Sequence, residues 1–383
     1  MKKLKIAIVT NNYTPYSGGV VSSINSFVSE LQQRGHKVFV ITLDFLGKYH
    51  KDPYYVIRIP TIAKFIYKKN HMAIPLAPTR KLINIIKQLE PDIIHTQHPF
   101  LLGNSAVQAA KKLDIPIIFT YHTLYEQYAH YIPVPQIISR PIIKKLALSF
   151  CKKIDGIIAP SNYVENFLQT NGIKTVIRKI PSGILPIFVR PKAPRQTCGQ
   201  FHLLTVSRFA KEKNIPLLLD LFANISKKSC LFTFTLAGYG PEYENLKNYA
   251  YKILQLSKKQ IHFVHKPTKI EIADLYLQSD LFIYSSKSDT QGLVLAEAMG
   301  CSCPIVSLDG PGQADIVKNG INGFLVPSAA QMAETIIAIS TNKNLHEKLK
   351  AGTIKTKERY NPKNLVRELI DFYSETIEKK RII

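Results

Sequence analysis

Acidic side chains are scarce in this chain. Twenty-seven Asp and Glu stand against 51 Lys and Arg, a formal net charge of +24. A field of that sign attracts nucleic acid, anionic lipid or a phosphorylated substrate and says nothing about fold. A general bias toward lysine would give the same sum. Cysteine is also sparse. Five residues, an odd number, with Cys301 and Cys303 the only close pair, exclude a disulfide framework and a C-x2-C zinc pattern. A cytosolic location is the default that follows. No apolar run approaches the ~18 residues of a membrane span. The apolar run of MKKLKIAIVTNNY ends at Asn11, too early for a signal peptide. No Asp-x-Asp, no GxGxxG and no internal repeat occurs. The missing glycine fingerprint argues against a nucleotide-dependent oxidoreductase. The missing RNP, KH and zinc signatures leave a nucleic-acid binder with only the charge to support it.

What is present is a long, ordinary globular composition. Apolar residues make up 45% and charged residues 20% of 383. Single cores stop growing near ~250–300 residues, so two domains are expected. Leu4–Thr10 is a short, buried-looking strand, followed by a glycine-bearing loop. Val20, Val21, Ile24, Phe27, Val28 and Leu31 then recur at helical spacing, Gly35 stops the helix, and Lys37–Thr42 is a second strand. This βαβ unit opens a parallel sheet. Further strands are expected at Asp92–His95, Ile115–Thr120, Gly156–Ala159 and Val176–Ile180. Pro181–Gln200, with four prolines, reads as a linker. The alternation restarts with strands at Leu203–Val206, Phe232–Ala237, Ile261–Val264, Leu281–Tyr284 and Pro304–Val306. Helices are expected at Pro216–Ile225, Tyr243–Leu256, Ile270–Gln278 and Leu293–Met299, and an amphipathic helix at Asn361–Lys380. The fold class is α/β, with two doubly wound Rossmann-like domains facing a central cleft, because ligands bind at the carboxyl ends of such strands.

Three clusters carry candidate chemistry. Gly18 and Gly19 precede the first helix, where backbone N–H groups can meet an anion; a plain turn fits them equally. Arg208 and Lys213 follow a strand end, where two cations can hold a diphosphate; a solvated basic loop is the alternative. Asp289 and Glu297 are eight apart, one on a loop and one in the next helix, and can accept hydrogen bonds from a hydroxyl-rich ligand. A helix cap plus an exposed glutamate is their bland reading.

SGGV, Arg-x4-Lys and acid-x7-Glu in this order, with PSGI at 181–184, AGYGPE at 237–242 and NGINGFLV at 319–326, resemble the family 4 retaining glycosyltransferases of the GT-B fold. YHTLYEQYAHY at 121–131 and SDTQGL at 288–293 resemble the membrane-associated 1,2-diacylglycerol glucosyltransferases within that family. The resemblance implies that Gly18 and Gly19 lie against the donor diphosphate and that Arg208 and Lys213 neutralise it. It implies Glu297 on the ribose, Asp289 on the donor sugar, and Gln291, Gly292 and Leu293 in the same donor-binding turn. His122 would sit by the reacting sugar, with His130 a weaker candidate. The family usually has Glu where this chain has Asp289, a side chain shorter by roughly 1.5 Å. PSGI is followed by Leu185 where an acid is common, and His265 stands where glycine is usual. His95 and His98 share a ligand-like spacing, but no carboxylate or cysteine joins them; neither a metal nor a cofactor is expected, since fixed cations can replace Mg²⁺.

The surplus charge is uneven. Residues 1–187 carry 24 basic and 9 acidic side chains, and 188–383 carry 27 and 18. Pro53–Leu89 holds no acid but contains Arg58, Lys64, Lys68, Lys69, Arg80, Lys81 and Lys87 among Tyr54, Tyr55, Phe65, Ile66 and Tyr67. Arg140–Lys153 is also acid-free. Arg140, Lys144, Lys145 and Lys152 share one side of a helical wheel and Ile142, Ile143, Leu146 and Phe150 the other. Arg58, Lys64, Lys68, Lys69, Lys144 and Lys145 are therefore expected to dock on anionic lipid.

These readings combine into one expectation. An N-terminal acceptor and membrane-facing domain spans 1–187, a nucleotide-sugar domain 188–358, and a C-terminal helix over 359–383 packs back toward the first. The enzyme would be peripheral on the cytoplasmic membrane face. It would move a hexose, glucose by preference, from a UDP-sugar to a lipid hydroxyl, with diacylglycerol the foremost acceptor and no nucleic acid as partner. A lipopolysaccharide core or a phosphatidylinositol is the alternative acceptor.

Overall fold

The computed structural model describes residues 3–14, 18–45, 52–67, 70–131, 134–189, 199–228 and 231–382. The chain divides into two units, Met1–Gly183 with Pro362–Ile383, and Ile184–Asn361.

The first unit contains β1 (Lys5–Val9), α1 (Gly19–Gln33), β2 (Lys37–Leu43), β3 (Val56–Ile59), β4 (Thr61–Tyr67), β5 (Asn70–Pro75), α2 (Pro78–Leu89), β6 (Ile93–Thr96), α3 (Leu102–Leu113), β7 (Ile117–Thr120), α4 (Gln136–Cys151), β8 (Gly156–Ala159), α5 (Asn162–Thr170) and β9 (Val176–Lys179). Seven parallel strands form one sheet in the order β3-β2-β1-β6-β7-β8-β9. Strands so buried read as near-continuous apolar runs, which is why β1, β6 and β7 were recognisable. Alternate residues of β1 serve opposite faces. Ala7 and Val9 join the core under α2 to α5, including Leu82, Ile86, Ala106, Ile143 and Leu168. Ile6 and Ile8 join the other core, made with Ile24, Phe27 and Leu31 of α1 and with Leu365, Leu369, Tyr373 and Ile377 of the C-terminal helix. Each such buried side chain contributes about 1.5–3 kcal/mol.

The second unit contains β10 (Phe201–Arg208), α6 (Ile215–Lys228), β11 (Phe232–Tyr239), α7 (Tyr243–Asn248), β12 (Ile261–His265), α8 (Lys269–Gln278), β13 (Leu281–Tyr284), α9 (Leu293–Gly300), β14 (Ile305–Leu308), α10 (Gln313–Ile316), β15 (Gly323–Val326), α11 (Ala329–Thr341) and α12 (Lys343–Thr356). Its six strands are parallel, in the order β12-β11-β10-β13-β14-β15. Capping fixes several helix starts. Thr268 and Glu271 form a reciprocal box at α8, and Ser328 and Asn342 cap α11 and α12. The last helix of the chain, α13 (Pro362–Ile382), belongs to the first unit.

Several expectations need correction. The helix expected over Tyr243–Leu256 stops at Asn248 and gives way to a π-helical turn over Tyr249–Ile253. The supposed linker is partly core. Ile184 and Phe188 are fully buried in the second unit, because two apolar side chains among prolines find a hydrophobic seat; residues 190–198 lie outside the description. Arg58 is not a docking residue. Its guanidinium pairs with Asp52 at 2.6 and 2.8 Å and donates to the carbonyls of Leu43 and Thr14, with 11% of the side chain exposed. Lys64 stays at the surface but pairs with Asp44 at 3.3 Å. Lys68 and Lys69 lie outside the described residues. No helix among the described residues is long and apolar enough to cross a membrane.

Candidate functional site

In each unit the chain winds outward from one strand and then returns to its other side. In the second unit that switch falls between β10 and β13. Loops leaving the two strands diverge there and leave room for a ligand. Arg208 is the last residue of β10, level with Tyr239 of β11. Lys213 ends the short turn Lys211–Lys213 that follows, and Asn214 turns the chain with φ 51°. Tyr284 closes β13, and Ser285, Ser286 and Asp289 follow it.

These two loops are tied across the switch point. The Ser285 hydroxyl lies 2.9 Å from the carbonyl oxygens of both Lys213 and Asn214, and Ser286 Oγ donates to the Glu212 carbonyl at 3.3 Å. Lys213 Nζ meets Asp289 Oδ1 at 2.5 Å, with 12% and 19% of the two side chains exposed. The Tyr284 hydroxyl donates to Asp289 Oδ2. Burial alone would raise the Asp289 carboxyl. The Lys213 charge and hydrogen bonds from Lys213, Tyr284 and Ser286 outweigh it and hold the group below the usual carboxylate range. Burial likewise works against the Lys213 charge, and Asp289 more than restores it.

Glu297 lies in the middle of α9, which begins at Leu293 as expected. Gly292 caps that helix with φ 72°, a left-handed conformation that suits glycine. Gln291 is buried, and a Cβ on Gly312 would lie 2.4 Å from its backbone nitrogen, so the two loops touch closely. Glu297 is 4% exposed and pairs with Lys269 at 3.4 Å. Burial raises its carboxyl above the ordinary range despite that lysine. Asp289 and Glu297 thus have a lysine each and opposite shifts. His265 closes β12 and its ring lies 4.0 Å from that of Tyr243.

In the first unit the switch point lies between β1 and β6. Asn11 N donates to His98 Nδ1 at 3.2 Å, and the Asn11 amide nitrogen donates to the Phe100 carbonyl at 3.1 Å. Gly18 and Gly19 open α1, exposed, and a Cβ added to either would meet no atom within 4 Å. His122 follows β7, and its Nε2 lies 2.7 Å from Gln97 Oε1. Burial, helped by His98 and His95, lowers its pKa to about 3. It is neutral at working pH, so it offers hydrogen bonds rather than a proton shuttle. His95 uses Nδ1 on the Tyr373 hydroxyl at 2.8 Å and Nε2 on Thr120 at 2.7 Å, which leaves no metal pair with His98. No group of three or more potential metal ligands occurs among the described residues. The His130 side chain lies outside the described atoms.

On the opposite side of its buried residues, α4 is turned outward. Ile143, Ala147 and Phe150 are buried, while Ile138, Ile142 and Leu146 are 52%, 51% and 54% exposed. Arg140 and Lys145 are exposed and Lys144 is half-buried, its Nζ 5.2 Å from the centre of the Phe167 ring.

Each unit is a doubly wound parallel sheet with polar groups at its switch point, and the sequence comparisons give the family. Residues 17–186 match the model for Glycosyltransferase Family 4, and 192–356 match Glycosyl transferases group 1. The chain belongs to family 4 of the glycosyltransferases. Among its curated relatives is an alpha-monoglucosyldiacylglycerol synthase of Streptococcus pneumoniae, 33% identical over 87% of this chain and 78% of the relative. Another of the same name, from Acholeplasma laidlawii, is 29% identical over 98% of this chain and 96% of its own. Among solved structures, Anabaena HepE in complex with UDP has a TM-score of 0.76 at 18% identity, covering 97% of this chain and all of HepE. Sucrose-phosphate synthase from Thermosynechococcus elongatus reaches 0.81 at 18%, covering 98% and 100%. These structures share the GT-B fold.

Residue patterning singled out Arg208, Lys213, Asp289 and Glu297 as candidates, and the family resemblance added His122. It missed Tyr284, Ser285 and Gln97. A serine pair directly after a buried strand is the signal that could have marked the loop after β13.

Proposed function

We propose that the enzyme transfers a hexose, glucose first among candidates, from a UDP-sugar to the hydroxyl of a membrane lipid, diacylglycerol foremost, with retention at the anomeric carbon. Arg208 and Lys213 take the diphosphate, Glu297 the ribose hydroxyls and Asp289 the sugar hydroxyls. Fixed cations stabilise the leaving UDP without Mg²⁺. The acceptor attacks from the face the diphosphate leaves, and its proton passes to the leaving phosphate. A neutral His122 suits that route, since no side-chain base is then required. UDP as the donor nucleotide is supported by the fold's likeness to HepE, solved with UDP and with UDP-glucose.

The observation that carries the lipid acceptor is the outward face of α4. Ile138, Ile142 and Leu146 recur every four residues and so form one stripe, with Lys145 beside it. Apolar side chains enter the interface, and each nearby base adds about 1 kcal/mol on an anionic surface. The peripheral, cytoplasmic-face location follows from that surface together with the cytosolic default. Diacylglycerol itself is supported by the two synthases among the relatives.

The test is label transfer from UDP-glucose to diacylglycerol in anionic vesicles, with EDTA present. Transfer giving an α-linked product is expected. Ile142→Ser with Leu146→Ser should lower transfer in vesicles while UDP binding stays intact. Label appearing only in another lipid, or only after Mg²⁺ is added, overturns the corresponding part of the reading.

A further inference from the structure

We propose that Tyr284 is a positioning residue for the donor sugar, its hydroxyl fixing the short Asp289 carboxylate while Lys213 is shared with the diphosphate. This rests on the reading of Asp289 as a sugar contact and deepens it.

A carboxylate on a one-methylene stem has little reach, so the position of its two oxygens is set by the groups that hold them. The structure gives each oxygen its own main hold, Lys213 Nζ on Oδ1 at 2.5 Å and the Tyr284 hydroxyl on Oδ2, with a further hydrogen bond from Ser286.

The two holds differ in stiffness. Lys213 stands on a flexible four-carbon stem in a turn after β10. A diphosphate arriving at that turn competes for its ammonium. Tyr284 cannot move in the same way. Its ring is 3% exposed, it is paired level with Ser307 of β14, and it stacks near-parallel on Phe282 with centroids 6.0 Å apart. Burial and the adjacent carboxylate keep the phenol protonated well beyond working pH, so it remains a donor. When Lys213 turns to phosphate, Tyr284, with Ser286 beside it, keeps Asp289 in place. At this position the sequence shows only the last residue of an apolar strand, LFIY, which is why its hydroxyl escaped notice.

The experiment uses the full chain as wild type, Tyr284→Phe, Asp289→Asn and the double variant. UDP affinity is measured by calorimetry, and kcat and KM with UDP-glucose and UDP-galactose. Tyr284→Phe should lower kcat for the preferred sugar about tenfold and narrow the preference between the two, with UDP affinity changed less than about twofold. In the Asp289→Asn background the same change should alter kcat less than about twofold, because the hydroxyl acts through the carboxylate. The proposal is overturned if Tyr284→Phe keeps wild-type kcat and sugar preference. It is equally overturned if the tenfold loss recurs in the Asp289→Asn background, or if all UDP-hexoses and UDP itself are weakened alike, the mark of a merely structural role. A wild-type chain that turns over no UDP-hexose overturns the donor reading on its own, visible before any variant is made.

Discussion

At the crossing between β1 and β6 the first unit gathers three uncharged imidazoles; at the crossing between β10 and β13 the second sets a lysine against a carboxylate. Both sheets are parallel and both place loops at their switch points, so topology does not distinguish them. The chemistry does. His95 and His98 have pKa values lowered to about 3 and about 4 by burial, and His122 is likewise lowered to about 3. Lys213 and Asp289 instead hold each other ionised. One fold therefore offers a neutral, hydrogen-bonding surface in one unit and a charged one in the other. Under the proposed function, the sugar nucleotide meets the second and the acceptor hydroxyl the first.

The comparison breaks most sharply at Lys213. Lys213→Ala leaves Asp289 enclosed without its cation, and loss of one partner of such a pair costs about 3–5 kcal/mol. Turnover should fall by roughly 10²–10³-fold, and thermal stability should drop. Asp289→Asn added to it should recover part of the stability, measured by calorimetric melting. Full stability in Lys213→Ala would remove the charged character assigned to this crossing.

Acid should act on the other side. The three histidines stay neutral when folded but take a proton near pH 6.5 when unfolded. The unfolded chain therefore binds more protons below that pH. Their contribution is present above pH 6.5 and is lost as pH falls toward 3–4, each group steepening the fall by up to about 1.4 kcal/mol per pH unit. Denaturant titrations at pH 7, 6 and 5 should show this slope, and His95→Asn should flatten it. A slope that His95→Asn leaves unchanged would mean that His95 is not neutral when folded.

Within the second unit, Glu297 and Asp289 should separate. Glu297→Gln should weaken UDP binding by about 1–2 kcal/mol. Asp289→Glu should shift relative rates among UDP-hexoses and leave UDP affinity nearly unchanged. Interchanged outcomes in calorimetry and rate assays would interchange the two roles.

The smallest effect is expected at Gly18. A Cβ there meets nothing within 4 Å, and φ is extended, so Gly18→Ala should change stability by less than about 0.5 kcal/mol. Lost turnover with unchanged melting would then report a ligand at the start of α1.

The two sheets were legible because fully buried parallel strands are short, continuous apolar runs, as in IIHT and LFIY. The pairing of Lys213 with Asp289 was suggested only as two separate candidates, each in a loop after a strand; spacing did not say that they touch. Other features hid in plain composition. The hairpin of β4 and β5 was overlooked because its lysines drew attention to charge rather than to alternation. Arg58 was misjudged by one residue of window. The acid-free segment begins at Pro53, and the partner of Arg58 is Asp52. Tyr284 could not be separated from its strand, since an aromatic at that point serves the core equally well. Contacts between distant residues, such as Ser285 with Lys213, follow from which strands neighbour each other, and spacing along the chain does not carry that information.

The return of α13 to the first unit has a consequence for synthesis. Phe372 and Tyr373 are buried, His95 bonds Tyr373, and a Cβ on Gly156 would lie 2.7 Å from Phe372. Part of one face of the first sheet thus waits for residues made only after the second unit. Roughly 180 residues of the second unit are translated in between, about ten to forty seconds at ~5–20 residues per second. Through that interval Leu4, Ile6, Ile8 and Ile118 have only part of their cover, and the nascent chain is most open to chaperones and to aggregation after its first half is complete. A ribosome stalled just short of Pro362 would hold a first unit whose sheet still lacks the cover of α13.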